Sequence, residues 1–368
     1  MYYFIGIKGS GMASLARILY DLGYEVAGSD IDKYIFLEDG LRERHIPIYS
    51  FNKDNIKDGM DVIVGNAFDR SNEEVAAAED NPNVTIHHYY DFLAKLMDDH
   101  ITIGIAGTHG KTSTTGMAYH LFKDYDKTNV LIGDGTGYAL PHLNYTKRVV
   151  KFGVKDGNDV QAKNVINNEK GLSFDVYIYG DLFGHFTLPF YGMHTLYNTL
   201  GVITLGYLEG MDFDYMQSQL STFKGTKRRY AVKEVGNNVY VDDYAHHPTA
   251  IKYVIEETRT RFPGKQIVAV YQPDRYSRGL RFAKDYARVM DTVDHPYFVD
   301  FPKNAPKEPG IDIDVSVITK NLPRSKVVTE DEAGAKELAQ YDNAVFLFMS
   351  PKDIYKLEEL VIKEKEKA

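Results

Sequence analysis

The run Gly104-Ile105-Ala106-Gly107-Thr108-His109-Gly110-Lys111-Thr112-Ser113-Thr114-Thr115 places small residues, one lysine and a row of hydroxyls in the order that phosphate binding uses. Backbone N–H groups along Gly107, Thr108, His109, Gly110 and Ser113 approach an anion closely, and a helix opening there adds its partial positive charge. Lys111 supplies a mobile cation and Thr112 a hydroxyl for magnesium. The expected ligand is a nucleoside triphosphate. Only Thr108 and His109 separate Gly107 from Gly110, a shorter spacing than G-x-x-x-x-G-K-[ST], and a Gly-rich turn that merely joins strand to helix is the alternative. The flanks favour the phosphate site, because Ile101-Thr102-Ile103 predicts a buried strand and Met117 to Phe122 the opening of a helix.

A second anion-type turn stands at the start of the chain. Tyr2-Tyr3-Phe4-Ile5 predicts a strand, Gly6-Ile7-Lys8-Gly9-Ser10-Gly11-Met12 a turn, Leu15, Ile18, Leu19 and Leu22 a helix, and Tyr24 to Gly28 a strand ending in Ser29-Asp30. In that order the glycines admit a diphosphate to the helix N-terminus and the acid reaches a ribose hydroxyl. The spacing is G-x-x-G-x-G, which favours some other nucleotide diphosphate over NAD or FAD; glycines serving only close helix–strand packing are the alternative. Asp61 to Ala67 predicts a further strand with a small polar tip, and Asp98-Asp99-His100 ends this region.

These elements need more than one domain. The chain has 368 residues, 43% of them hydrophobic, enough for two or three cores. Its net charge of −9 argues against a nucleic-acid partner held by a broad basic surface. There is no cysteine, so disulfides and thiolate metal sites are excluded. No signal peptide and no run of 18 apolar residues is present, and a cytoplasmic protein without membrane insertion is expected. After Phe223 to Tyr230 a third unit carries Val239 to Pro248, the strand Gln266 to Tyr271, and strands near Tyr297 and Ala344 to Phe348. The expected fold class is α/β in three domains: 1–98 Rossmann-like, 99–225 an abridged phosphate-loop domain, and 226–368 Rossmann-like again.

Taken together, the motifs resemble the Mur ligase family. They are G-I-K-G-S-G-M-A-S-L-A at 6–16, G-S-D at 28–30, A-G-T-H-G-K-T-S-T-T at 106–115, G-D-G-T-G at 133–137, H-T-L-Y-N at 194–198, G-T-K-R-R at 225–229, V-D-D-Y-A-H-H-P at 241–248 and Q-P-D-R-Y-S-R at 272–278. Folylpolyglutamate synthases share the ATP domain but not the opening. Murein-peptide-recycling ligases are close, yet the opening is more similar to that of members joining L-alanine to UDP-N-acetylmuramate. The resemblance implies an amide ligase in which a carboxylate attacks the γ-phosphate of ATP and an amine then attacks the acyl phosphate. It implies substrate contacts from Gly6, Lys8, Gly9, Ser10, Gly11, Met12, Ser29 and Asp30, and from Arg275 and Arg278. It implies nucleotide contacts from Gly107 to Ser113, His194, Asn198, Arg229, Asp242 and Asp243, with magnesium on Thr112. Lys111, His246 and Arg275 are the implied catalytic groups, and His247 lies beside them.

The same comparison shows departures. Between Gly137 and Lys151 the family's acidic and histidine magnesium ligands have no counterpart, and Asp134 is the nearest acid. Asp274 replaces a usual His, and Ser350-Pro351-Lys352-Asp353-Ile354 replaces a Gly-rich turn. Weak or absent ligation is therefore expected, with a non-catalytic UDP-sugar-binding scaffold of cell-wall synthesis as the alternative. A dinucleotide oxidoreductase is disfavoured, since such an enzyme has no use for Gly107 to Thr115.

Overall fold

The computed structural model describes residues 1–98, 102–107, 110–125, 150–226, 228–302, 308 and 310–367. They divide into two compact units, one built on residues 1–106, the other on Gly107–Phe122 with the chain from 150 onward.

In chain order the first unit contains β1 (Tyr2–Ile5), α1 (Ser10–Asp21), β2 (Val26–Ser29), α2 (Asp39–Arg42), β3 (Ile48–Tyr49), β4 (Asp61–Val64), α3 (Glu73–Asp80), β5 (Thr85–His88) and α4 (Tyr89–Asp98). Its five strands run in the order β3-β2-β1-β4-β5, all parallel. Alternation sends Phe4, Val26 and Ile63 to one face, against Leu15 and Leu19 of α1 and Phe92 of α4. Tyr3, Ile5, Val62 and Val64 face the other side with Val75 and Ala78 of α3. Each such side chain contributes roughly 1.5–3 kcal/mol on burial. Strand order reverses between β1 and β4, so the crevice for a ligand lies at their carboxyl ends, where the Gly6 turn emerges.

The second unit begins with α5 (Lys111–Phe122) and continues through β6 (Phe152–Gly153), β7 (Val160–Asn168), β8 (Gly171–Ile178), β9 (Asp181–Leu188), α6 (Met193–Leu208) and α7 (Phe213–Ser221). The sheet β6-β7-β8-β9 turns Leu172, Phe174, Val176 and Phe186 inward, where Phe186 meets Phe213 of α7 at 5.0 Å. Ser173, Asp175 and His185 are on its outer face.

The remainder comprises β10 (Ala231–Val235), β11 (Asn238–Asp243), α8 (Pro248–Arg261), β12 (Gln266–Tyr271), α9 (Tyr276–Arg281), α10 (Ala283–Met290), β13 (His295–Phe298), α11 (Ser316–Thr319), β14 (Lys326–Val327), α12 (Glu332–Leu338), β15 (Ala344–Met349) and α13 (Tyr355–Glu366). These strands form a six-stranded sheet, β10-β11-β15-β12-β13-β14, parallel except for β10. Its strands read as continuous apolar runs because both faces are covered: Ile251, Tyr286 and Ile318 cover one, Leu338, Leu357 and Val361 the other.

One expectation fails. Ile101-Thr102-Ile103 predicts a buried strand, yet residues 102–107 adopt no strand, and Thr102, Ile103 and Gly104 are exposed. A strand needs a neighbour to take its N–H and C=O groups. Among the described residues no sheet pairs with this segment. Among the described residues the phosphate-loop helix has no parallel sheet of the kind its motif anticipates, and it packs on α6 and α7, with Met117, Leu121 and Phe122 buried.

Candidate functional site

In the first unit the Gly turn distributes its residues between fold and ligand. Gly6 has φ +85, and a Cβ there would lie 2.2 Å from Phe68 Cε2; a Cβ on Gly11 would lie 2.5 Å from Tyr89 Oη. Gly9, the N-cap of α1 at φ −63, would meet nothing nearer than the Gly6 carbonyl at 3.4 Å. No side chain caps this twelve-residue helix. Its first-turn N–H groups at Ser10, Gly11 and Met12 have no partner within the helix, the arrangement a diphosphate requires.

The Lys8 ammonium and the Ser29 hydroxyl, expected at the substrate, are engaged within the protein. The Lys8 ammonium donates to the Ile31 carbonyl at 2.9 Å and the Lys33 carbonyl at 3.0 Å, and meets Glu38 Oε2 at 2.8 Å, which uses all three donors inside the protein. Burial opposes ionisation of Glu38, but Lys8 and Arg42 hold its carboxyl below the ordinary value. The Ser29 hydroxyl is fully buried and donates to Glu74. Glu74 also accepts from Tyr3 at 3.1 Å, the Asn52 N–H at 3.1 Å and Asn55 at 2.7 Å. Asp30 accepts the backbone N–H of Lys8 at 2.7 Å and of Ile31 at 2.8 Å, so it first fixes the turn and keeps only its remaining lone pairs for a ribose.

In the second unit Lys111 opens α5 and its Nζ donates to the Gly107 carbonyl at 2.6 Å. Gly110 has φ +81, and a Cβ there would be 2.5 Å from Asn198 Oδ1. Asn198 and His194 share one face of α6, four residues apart, so Asn198 sits against the loop itself. His194 Nε2 lies 3.3 Å from Glu257 Oε2 of α8 and its ring stacks on Tyr253 at 5.5 Å. Sequence reading missed Glu257 and Tyr253. Their four-residue spacing on α8 was visible, but only the fold brings that face to His194. Thr108 and His109 lie outside the described residues, as does the Asp134 segment, and Ser113 lies in the first turn of α5.

Arg229 joins the loop through a strained connector. Arg228 and Tyr230 have φ +55 and +53, a conformation costing roughly 1–2 kcal/mol each. The end of β11 holds them there. Asp242 takes Arg228 Nε at 3.0 Å; Asp243 accepts the Tyr230 N–H at 2.7 Å and the Ala245 N–H at 2.6 Å. Arg228 Nη2 also donates to the Ser350 and Lys352 carbonyls at 2.9 and 2.7 Å, the task of the turn that departs from the Gly-rich pattern. Asp242 and Asp243, expected at the nucleotide, thus shape the connector that carries Arg229. The product is the placement of Arg229, whose Nη2 donates to Thr112 Oγ1 at 3.4 Å and whose guanidinium lies 4.6 Å over the Tyr244 ring. Lys111, Arg229 and the N-terminus of α5 converge, which suits a polyanion.

Among the described residues magnesium would find few ligands here. The one implied ligand, the Thr112 hydroxyl, already accepts from a guanidinium, and among the described residues no three His, Asp or Glu side chains gather. Magnesium prefers several hard oxygens in octahedral array.

Burial raises the Asp243 carboxyl from its ordinary 3.8 to about 6, opposed by Arg229 and the two backbone N–H groups. The folded value exceeds the unfolded one. Its stabilising contribution is therefore complete below about 4 and is lost as pH rises through about 6, a change of about 3 kcal/mol for a two-unit shift. Chemical denaturation between pH 4 and 7 should show this increment in the natural protein and not in Asp243→Asn. Equal pH dependence in the two would contradict it.

His246 and the arginines complete the site. Burial pushes the His246 imidazole below its ordinary value. Its Nδ1 lies 3.0 Å from the Tyr244 carbonyl, an acceptor, so the proton is on Nδ1 and the lone pair on Nε2. His247 caps α8 through the Thr249 N–H at 3.3 Å. Arg275 is the exposed N-cap residue of α9. Arg278 donates to Asp274 at 2.9 Å, so the unusual carboxylate occupies the guanidinium expected for substrate. Asp274→Ala should tighten binding of UDP-N-acetylmuramate, the substrate that the family resemblance implies, to the whole protein by about 3–10-fold, with under ~0.5 kcal/mol lost from the i,i+4 pair. Titration calorimetry giving unchanged or weaker binding would contradict this.

A parallel five-stranded sheet with a glycine turn after β1, a six-stranded sheet parallel except for β10, and a helix opened by Lys111 mark an α/β protein of the nucleotide-binding kind. The family model described as Mur ligase family, catalytic domain, matches residues 1–101, and that described as Mur ligase, glutamate ligase domain, matches 228–350; the chain belongs to the Mur ligase family, whose members are ATP-dependent amide ligases. Among solved structures it is similar to the UDP-N-acetylmuramate-alanine ligase MurC of Thermotoga maritima, at 21% identity and TM-score 0.79 with 100% of each chain covered. It is also similar to a murein peptide ligase of Psychrobacter arcticus, at 18% identity and TM-score 0.65 with 99% and 98% covered. A third is the MurF ligase of Thermotoga maritima in complex with ADP, at 17% identity and TM-score 0.58 with 93% and 95% covered. At these identities the likeness is one of fold. No described helix is long and apolar enough to cross a membrane.

Proposed function

We propose that this chain recognises the substrates of the alanine-adding reaction, UDP-N-acetylmuramate, L-alanine and ATP, and carries out amide ligation slowly or not at all. The observation that carries recognition is the convergence of Lys111, Arg229 and the α5 N-terminus, together with the uncapped α1 behind Gly9 in the first unit. In the ligation, the muramate carboxylate attacks the γ-phosphate, ADP leaves, and the alanine amine displaces phosphate from the acyl phosphate. Lys111 and Arg229 stabilise the charge on the phosphate oxygens. The Nε2 lone pair of His246 is the base for the amine proton, and Arg275, with the Arg278 donors that Asp274 leaves free, holds the anionic substrate.

The absence of a sheet beneath the loop, among the described residues, favours a second reading of the same site, a UDP-sugar-binding scaffold in cell-wall synthesis. Misplacement by about 1 Å costs on the order of a hundredfold in rate. Titrations of the whole protein with UDP-N-acetylmuramate, ATP and NAD separate these readings from a dinucleotide enzyme: the first two ligands bind and NAD does not. Binding of NAD alone would overturn the proposal.

A further inference from the structure

On the outer face of the antiparallel strands β7-β8-β9, three side chains stand in line. Ser173 and Asp175 are two residues apart on β8, hence on one face, and His185 of β9 is the cross-strand partner of Asp175. His185 Nδ1 lies 2.6 Å from Asp175 Oδ1, and His185 Nε2 lies 2.9 Å from Ser173 Oγ. Asn164 Nδ2 donates to the other carboxylate oxygen at 2.6 Å, from a bulge of β7 where Asn164 has φ +51. Hydrogen bonds from Asn164 and His185 hold the Asp175 carboxyl below its ordinary value. An ionised carboxylate only accepts, so Nδ1 carries the ring proton, Nε2 the lone pair, and the Ser173 hydroxyl is the donor.

We propose that Ser173, His185 and Asp175 form a nucleophile–base–carboxylate relay that hydrolyses small activated carboxylic esters, an activity separate from ligation. Ser173 Oγ bonds to the ester carbonyl carbon as its proton passes to His185 Nε2. The tetrahedral centre expels the alkoxide, which leaves as an alcohol with that proton. Water then attacks the acyl-serine, giving its proton to Nε2, and the carboxylic acid departs as the Ser173 hydroxyl re-forms. Asp175 orients the ring and stabilises its charged form.

The surroundings set the substrate class. The His185 side chain is 55% exposed, and Ile166, which faces Ser173 in the β7–β8 register, is 54% exposed, so the hydroxyl is open to solvent beside one apolar wall. This admits a short acyl group and encloses nothing larger. Ser173 is paired on both sides in the sheet, leaving its backbone no preformed oxyanion hole. Rates are accordingly those of base-assisted attack, about 10²–10⁴ above water, without the further 10²–10³ that oxyanion donors supply.

The test treats the whole protein with a fluorophosphonate probe and with p-nitrophenyl acetate, maps the modified residue by mass spectrometry, and follows melting of every variant. The expected result is modification at Ser173, at least about tenfold faster than in His185→Gln, slowed also in Asp175→Asn, and lost on heat denaturation. If His185→Gln does not melt cooperatively, Asp175→Asn and the denatured natural protein carry the comparison. An unmodified Ser173, or equal labelling in the folded variants and the denatured chain, would show that the three side chains are only a cross-strand polar ladder.

Discussion

Gly9→Val leaves the first unit folded and lowers its affinity for UDP-N-acetylmuramate by at least about a hundredfold. Folding survives because Gly9 has φ −63, an ordinary value for any residue, and a Cβ there meets nothing nearer than 3.4 Å. Gly6 contrasts with it, since its φ of +85 and the Phe68 ring at 2.2 Å make a branched side chain incompatible with the fold itself. At Gly9 the valine methyls would stand over the uncapped α1 N-terminus, where the diphosphate oxygens need the N–H groups. Charge-assisted hydrogen bonds contribute about 1.5–3 kcal/mol each, and losing two reaches the hundredfold level. Calorimetric titration with UDP-N-acetylmuramate, alongside a melting curve matching the natural protein, checks this. Equal affinity in the variant would remove the first unit's assignment.

Lys111→Ala lowers ATP affinity by about 10–100-fold. The ammonium lies across the loop on the Gly107 carbonyl at 2.6 Å, ready to exchange that acceptor for phosphate, and its charge stands with that of Arg229 at the α5 N-terminus. Arg229 remains in the variant, so binding weakens without vanishing. Exchange of a fluorescent ATP analogue measures the ratio. An unchanged dissociation constant would mean that the nucleotide does not use this loop.

Much of this was legible in the sequence because the signals were local. The apolar runs Tyr2 to Ile5, Gln266 to Tyr271 and Ala344 to Phe348 became β1, β12 and β15, since a buried parallel strand needs such a run whatever surrounds it. The helices that follow Gly9 and Gly110 were readable for the same reason, each being signalled by its own short stretch. Pairings between distant segments were not readable. Lys8 looked like a phosphate ligand, yet Glu38 and two carbonyls of the loop after β2 consume its donors. Asp242 and Asp243 looked like nucleotide residues, yet they hold the strained Arg228–Tyr230 connector, whose positive φ values no spacing announces. Ile101 to Ile103 carries strand-forming residue types, but a strand exists only where another accepts its hydrogen bonds, and among the described residues none does.

The central claim of the proposed function is that a chain with the ligase fold recognises the ligase substrates, while among the described residues its phosphate loop has neither a supporting sheet nor clustered metal ligands for phosphoryl transfer. The most direct measurement is phosphate release by the purified 368-residue protein given UDP-N-acetylmuramate, L-alanine and Mg-ATP. The account predicts release at least about a hundredfold below the ordinary enzymatic range of about 1–10³ per second, with both nucleotides still binding. Turnover inside that range, dependent on L-alanine, would contradict it.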